Sequence, residues 1–160
     1  MKRIFLLCLT ACFILCTQTE TKAQTYKNAL GVRLGSFNGL NFKTFLNSDR
    51  ALDFNLAFRS NNRFKRFIFT GLYEIHDPIN NAPGLQWYYG FGGSIGGYNY
   101  DDDRDGDGDV FLSVDGVLGL DYKFNGAPIN LALDFRPRLE VTPNTDIDAG
   151  DVGLAIRFTF

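Results

Sequence analysis

Apolar and polar residues alternate with a period of two through most of positions 29–160, the spacing of strands that carry one apolar face. Ala29 to Gly35 sets Leu30, Val32 and Leu34 against Ala29, Gly31, Arg33 and Gly35. Next, Leu40, Phe42 and Thr44 oppose Asn41, Lys43 and Phe45, and Leu52, Phe54, Leu56 and Phe58 oppose Asp53, Asn55, Ala57 and Arg59. A fourth segment sets Phe67, Phe69, Gly71, Tyr73 and Ile75 against Thr70, Leu72, Glu74 and His76. In the fifth, Leu85, Trp87, Tyr89, Phe91 and Ile95 face away from Gln86, Gly90, Gly92, Ser94 and Gly96. The sixth carries Leu112, Val114, Leu118, Leu120, Tyr122 and Phe124 against Ser113, Asp115, Gly119, Asp121 and Lys123. Ile129, Leu131, Leu133 and Phe135 oppose Asn130, Ala132, Asp134 and Arg136 in the seventh. In the last, Val152, Leu154, Ile156, Phe158 and Phe160 oppose Gly153, Ala155, Arg157 and Thr159.

No amphipathic helix of useful length interrupts these segments. Eight strands of about ten residues leave about eight for each connection, room for the polar stretches between them; ten strands would leave too few. Asn47-Ser48-Asp49-Arg50 and Asn125-Gly126-Ala127-Pro128 read as compact turns. Arg59 to Arg66, Tyr98 to Asp109 and Thr142 to Gly150 read as longer polar loops. All three fall at the end away from the chain's start, although the loop around Ser36-Phe37-Asn38-Gly39 at that end is short.

The first residues follow a different rule. Met1-Lys2-Arg3 is a charged start, Ile4 to Cys16 is apolar, and Thr21-Lys22-Ala23 supplies small residues before Gln24. This predicts a secretory signal peptide, residues 1–23, cleaved after Ala23, with 24–160 as the folded domain. The apolar stretch is short for a transmembrane helix. A competing reading takes Leu9-Thr10-Ala11-Cys12 as a lipoprotein cleavage box, which would leave Phe13-Ile14-Leu15 unexplained after the cut. All three cysteines (Cys8, Cys12 and Cys16) leave with the signal, so the mature chain has no disulfide framework and no sulfur metal site.

Alternation alone does not say which face is inside. A soluble barrel would bury the apolar face around a ligand, whereas a membrane barrel turns it to lipid. The apolar face is too bulky for the interior of a small barrel, and the opposite face is rich in Gly, Ala, Ser and Asn with charges spaced among them. Arg33, Lys43, Arg59, Lys123, Arg136 and Arg157 would meet Asp53, Glu74, Asp115, Asp121 and Asp134 inside, a set that can pair. Tyr26, Tyr73, Trp87, Tyr122 and Phe158 at one rim, with Phe37, Phe58, Phe67 and Phe135 at the other, would form interfacial girdles. The predicted fold is all-β: an eight-stranded antiparallel transmembrane β-barrel after a cleaved signal peptide.

Composition agrees. At 45% hydrophobic and 15% aromatic residues the chain is too apolar for a disordered tail. With 16 basic against 18 acidic residues it lacks the basic excess that nucleic-acid binding needs.

The last strand, Asp151 to Phe160, has alternating apolar residues, an early glycine and a terminal aromatic. It resembles the C-terminal signal read by the outer-membrane assembly machinery. GVRLGSFNGLNFKTFL, TGLYEIH, WYYGFGGSIGGY, GVLGLDYKFNGAPINLALDFRP and VGLAIRFTF resemble the small bacterial outer-membrane β-barrel proteins, across nearly the whole mature chain. The resemblance implies a Gram-negative outer-membrane location, contact with outer-membrane lipid and lipopolysaccharide, and recognition of strand 151–160 by that machinery. It brings no agreed catalytic residues.

The chemistry-bearing residues are few. The single histidine, His76, sits at the end of the fourth segment with Glu74 and Asp77 nearby and no serine close in sequence, so it reads as a rim histidine. No Gly-x-Ser-x-Gly, Cys/His spacing or phosphate loop is present, and GFGGSIGG lies in a strand with no helix after it. Asp101, Asp103, Asp105, Asp107 and Asp109 alternate around Gly106 and Gly108 like the front half of a calcium loop. The twelfth position is Leu112 where such a loop needs glutamate, so a solvated acidic loop is the competing reading. The sequence thus points to a non-enzymatic outer-membrane barrel with a structural or surface-binding role. A narrow channel for small solutes and a soluble periplasmic ligand-binding barrel are the alternatives.

Overall fold

The structure, a computed structural model, describes residues 26–61, 64–100, 110–142 and 145–160. The expected signal segment, 1–23, and the five loop aspartates Asp101, Asp103, Asp105, Asp107 and Asp109 lie outside these residues. Ten strands form one sheet: β1 (Asn28–Gly35), β2 (Asn38–Phe45), β3 (Arg50–Asn61), β4 (Phe64–Pro78), β5 (Leu85–Tyr100), β6 (Val110–Lys123), β7 (Ile129–Phe135), β8 (Arg138–Thr142), β9 (Asp146–Asp148) and β10 (Val152–Thr159). All pairings are antiparallel, and the sheet closes on itself through β5 with β6 and β1 with β10.

The ten strands make eight walls. β7 and β8 are one wall interrupted at Arg136-Pro137, and β9 and β10 are one wall interrupted at Ala149 to Asp151. Pro137 cannot donate a backbone hydrogen bond, so the ladder to β6 passes through its carbonyl, which accepts Gly116 N–H at 2.9 Å. Above that point β8 pairs β6 from Asp115↔Arg138 to Leu112↔Thr142, with a register shift at Leu112/Ser113. Beside it, Arg136 N–H reaches the Asp151 carbonyl at 2.8 Å and bridges both interruptions.

Among the described residues the alternation predicted from the sequence is realised, with the bulky face outward. Leu30, Leu40, Phe58, Phe91, Leu118, Leu133 and Phe158 are exposed, while Ala29, Asn41, Asp53, Ala132, Ala155 and Arg157 are buried. An apolar face turned outward excludes the soluble ligand-binding barrel, which would need the reverse.

Of the three expected long loops, Arg59 to Arg66 is largely strand and Tyr98 to Asp109 begins as strand, with 101–109 outside the described residues. β3 and β4 stay paired up to Asn61↔Phe64, and Tyr98, Asn99 and Tyr100 still belong to β5. Polar side chains do not stop a ladder whose backbone groups remain paired. The third, Thr142 to Gly150, contains β9. At the opposite end, which carries both described termini, the connections are tight turns, with Asn81 (φ 64) and Gly84 (φ 82) completing the one between β4 and β5.

Candidate functional site

Because alternate residues point inward, each wall delivers its polar members to one narrow lumen. There, Arg33, Lys43, Arg136, Arg138 and Arg157 interleave with Asp53, Glu74, Asp115, Asp121, Asp134 and Asp151, each at most 4% exposed. Asp53 on β3 accepts from Asn41 (2.8 Å), Arg136 (3.2 Å) and Arg157 (3.0 Å). Asp134 on β7 accepts from Arg33 (2.6 Å), Arg136 (2.9 Å) and the Tyr88 hydroxyl (3.1 Å). Arg33 forks to both carboxylate oxygens of Asp151 at 3.1 and 3.2 Å.

Nearer the terminal end, Lys43 bridges Glu74 (2.7 Å) and Asp121 (3.3 Å), with its ammonium 4.3 Å from the centre of the Tyr88 ring. Asn130 donates to Asp121 at 2.5 Å and accepts from Arg157 at 2.9 Å. Nearer the loop end, Asp115 is held by Ser94, by Ser113 (2.9 Å) and by Arg138 (3.0 Å). The network therefore ties all eight walls together. Charges removed from water are tolerated when paired and hydrogen-bonded, and removal of one partner leaves its mate stranded.

Small residues make room for the large ones. A Cβ on Gly119 would lie 2.6 Å from Cζ of Tyr88, and one on Gly153 would lie 2.3 Å from Cζ of Arg33. Tyr88 and Arg33 thus fill the space that these glycines leave empty.

Apolar plugs close both ends of the charged column. Tyr26, Ala29, Phe45 and Ala51 pack at the terminal end, with Tyr26 and Phe45 edge to face at 5.3 Å. Phe37, Ala57, Ile68 and Phe111 pack at the other. Arg66 lies over this second plug, its guanidinium 4.1 Å from the centre of Phe111, and pairs with Glu140.

Several expectations need correction. Tyr26 (8% exposed) and Phe37 (4%) face inward as plug residues and take no part in a girdle; Tyr73, Trp87, Tyr122, Phe158, Phe58, Phe67 and Phe135 do face outward. His76 is no rim residue. It is 1% exposed, bonded to Glu74 at 3.0 Å, stacked on Tyr88 at 4.8 Å and edge-on to Phe45. Lys123 stays half-buried at the terminal mouth and donates to the carbonyls of Phe124 and Ala127 at 2.8 and 2.6 Å. The side chain of Arg59 lies outside the described part. Tyr88, Arg138 and Asp151 are additional members of the network. The same parity that placed Gly90, Arg136 and Gly153 inside would have revealed them.

No protein-family model matches the sequence, and no curated protein matches it. Solved structures do. The chain is similar to the N-terminal β-barrel domain of Pseudomonas aeruginosa OprF, with a TM-score of 0.65 at 13% identity, covering 83% of this chain and 95% of that one. It is also similar to Neisserial surface protein A (NspA), with a TM-score of 0.61 at 11% identity, covering 83% and 93%. With its outward apolar belt and filled lumen, the protein has the fold of the small eight-stranded outer-membrane β-barrels.

Proposed function

We propose that this protein is a non-enzymatic integral protein of the cell outer membrane. Its barrel is a rigid anchor that presents the loop end for structural or surface-binding contacts. The observation that supports this reading most directly is the buried network spanning all eight walls. A lumen occupied by paired charges and closed by two apolar plugs holds its shape and offers little room for solute flow. His76 is enclosed by Glu74, Tyr88 and Phe45, which keeps substrate away from the one imidazole. In this reading the belt contacts outer-membrane lipid and lipopolysaccharide, strand 151–160 is the segment read by the assembly machinery, and the acidic loop adds a weak calcium site.

The test is membrane fractionation with heat-modifiable gel mobility, followed by conductance in planar bilayers. The protein should need detergent, migrate faster when folded, and give no steady current of porin size. Extraction at high salt without detergent would end the membrane reading. A large stable current would make the narrow channel the better one.

A further inference from the structure

We propose that the mouth of the barrel at the terminal end binds a phosphate group, carried by the headgroup of a glycerophospholipid in the adjoining leaflet. The inference rests on the membrane reading above.

A cavity of about 300 Å³ opens there, lined by residues that include Tyr26, Lys123, Gly126, Thr159 and Phe160. Each deeply buried cation of the lumen has a carboxylate partner. Lys123, half-buried at the mouth, has none among the described residues. Its ammonium donates to two carbonyls of the following turn, which leaves one of its three donors free for an anion. Thr159 lines the same cavity, and its hydroxyl makes no hydrogen bond with another described residue. It supplies a second donor, this one on β10. Gly126, in the left-handed region (φ 79), folds the turn back so that its carbonyls hold Lys123 beside the cavity.

Position selects the source of the phosphate. The outward residues next to the mouth, Ile129 (42% exposed), Phe158 (57%) and Phe160 (61%), are the last apolar side chains of the belt on β7 and β10. An amphiphile with a phosphate head and acyl tails would satisfy Lys123 and cover these side chains together. Free phosphate would engage the donors alone.

The test uses folded protein in dodecyl maltoside, a detergent without phosphate, and follows the amide NMR signals of Gly126, Ala127 and Thr159. The probes are dihexanoyl phosphatidylglycerol, inorganic phosphate and dihexanoylglycerol. The phospholipid should shift these signals to saturation. Inorganic phosphate should shift the same signals at concentrations at least about tenfold higher, and dihexanoylglycerol should leave them unmoved. Lys123→Gln should weaken phospholipid binding by at least about tenfold, the strength of a charge-assisted hydrogen bond, while Lys123→Arg retains it. Because Lys123 also braces the turn, Thr159→Val is the second variant and should weaken binding several-fold. Equal affinity for inorganic phosphate would assign the site to a free anion and overturn the lipid source. Equal shifts with dihexanoylglycerol, or full binding by Lys123→Gln, would overturn the phosphate site. Failure of the membrane reading would appear separately, as protein that stays soluble without detergent.

Discussion

The hydroxyl of Tyr88 on β5 donates to Asp134 on β7 at 3.1 Å, passing over the inner face of Gly119 on the intervening β6. This contact ties an aromatic ring to the charged column without disturbing the wall between its partners. Gly119→Ala should therefore destabilise the barrel by about 1–3 kcal/mol through overpacking, measured by urea unfolding in vesicles. Combining it with Tyr88→Ala should cost less than the sum of the two separate losses, because the ring clash is then gone and only the Leu133 carbonyl, 2.8 Å from the added methyl, still crowds it. Strict additivity would show that Tyr88 is not what the glycine accommodates.

Asp53 is the anchor of two guanidinium groups, from Arg136 and Arg157. Asp53→Ala should cost about 3–5 kcal/mol, the range for breaking a buried pair and leaving its cations uncompensated. A shift in the urea midpoint within error of wild type would mean that water replaces the carboxylate freely, and that the lumen is wetter than its burial indicates.

On the opposite face, Leu118 sits mid-strand and outward, 54% exposed. Leu118→Arg should cost about 2–4 kcal/mol in a bilayer, the depth-dependent penalty for a cation on the lipid face. The same change at Val110, at the loop-end limit of β6, should be much milder. Equal penalties at the two positions would argue against a membrane midplane near Leu118.

The acidic stretch Asp101 to Asp109 supplies carboxylates without the glutamate that closes a strong calcium loop. Calorimetry on the folded protein should give calcium affinity no tighter than about 10⁻⁴–10⁻³ M, and Asp103→Asn with Asp105→Asn should abolish the heat. Equal and negligible heats from both proteins would leave a solvated acidic loop.

The wall pattern was legible because one face of every strand is bulky and the other small or polar, and a one-residue slip would invert the two. The exchange of partners inside was not. Arg33 and Asp134 lie 101 positions apart, and only the closure of β1 on β10 brings them together. The plugs were misread for a different reason. Phe37 lies in the two-residue turn between β1 and β2, where strand parity gives no direction, and an aromatic at a strand end serves a girdle or a plug equally well. His76 followed parity into the interior. Its placement near a strand end suggests a rim, but Tyr88 and Phe45 close over it.

The breaks at Arg136-Pro137 and at Ala149 to Asp151 stand side by side at one height in adjacent walls. Above them β8 and β9 form a two-stranded flap, held to the rest of the sheet through β6 on one side, while no described strand pairs the outer edge of β9. The two breaks make a hinge line. Opening the flap tears the short β6–β8 ladder together with the Arg138–Asp115 and Arg66–Glu140 pairs, and leaves the rest of the charged column and its lower ladders intact. Amide hydrogens of Leu139 to Thr142 should therefore exchange with solvent long before those of Leu131 to Asp134, one turn of the barrel working loose while its trunk stays shut.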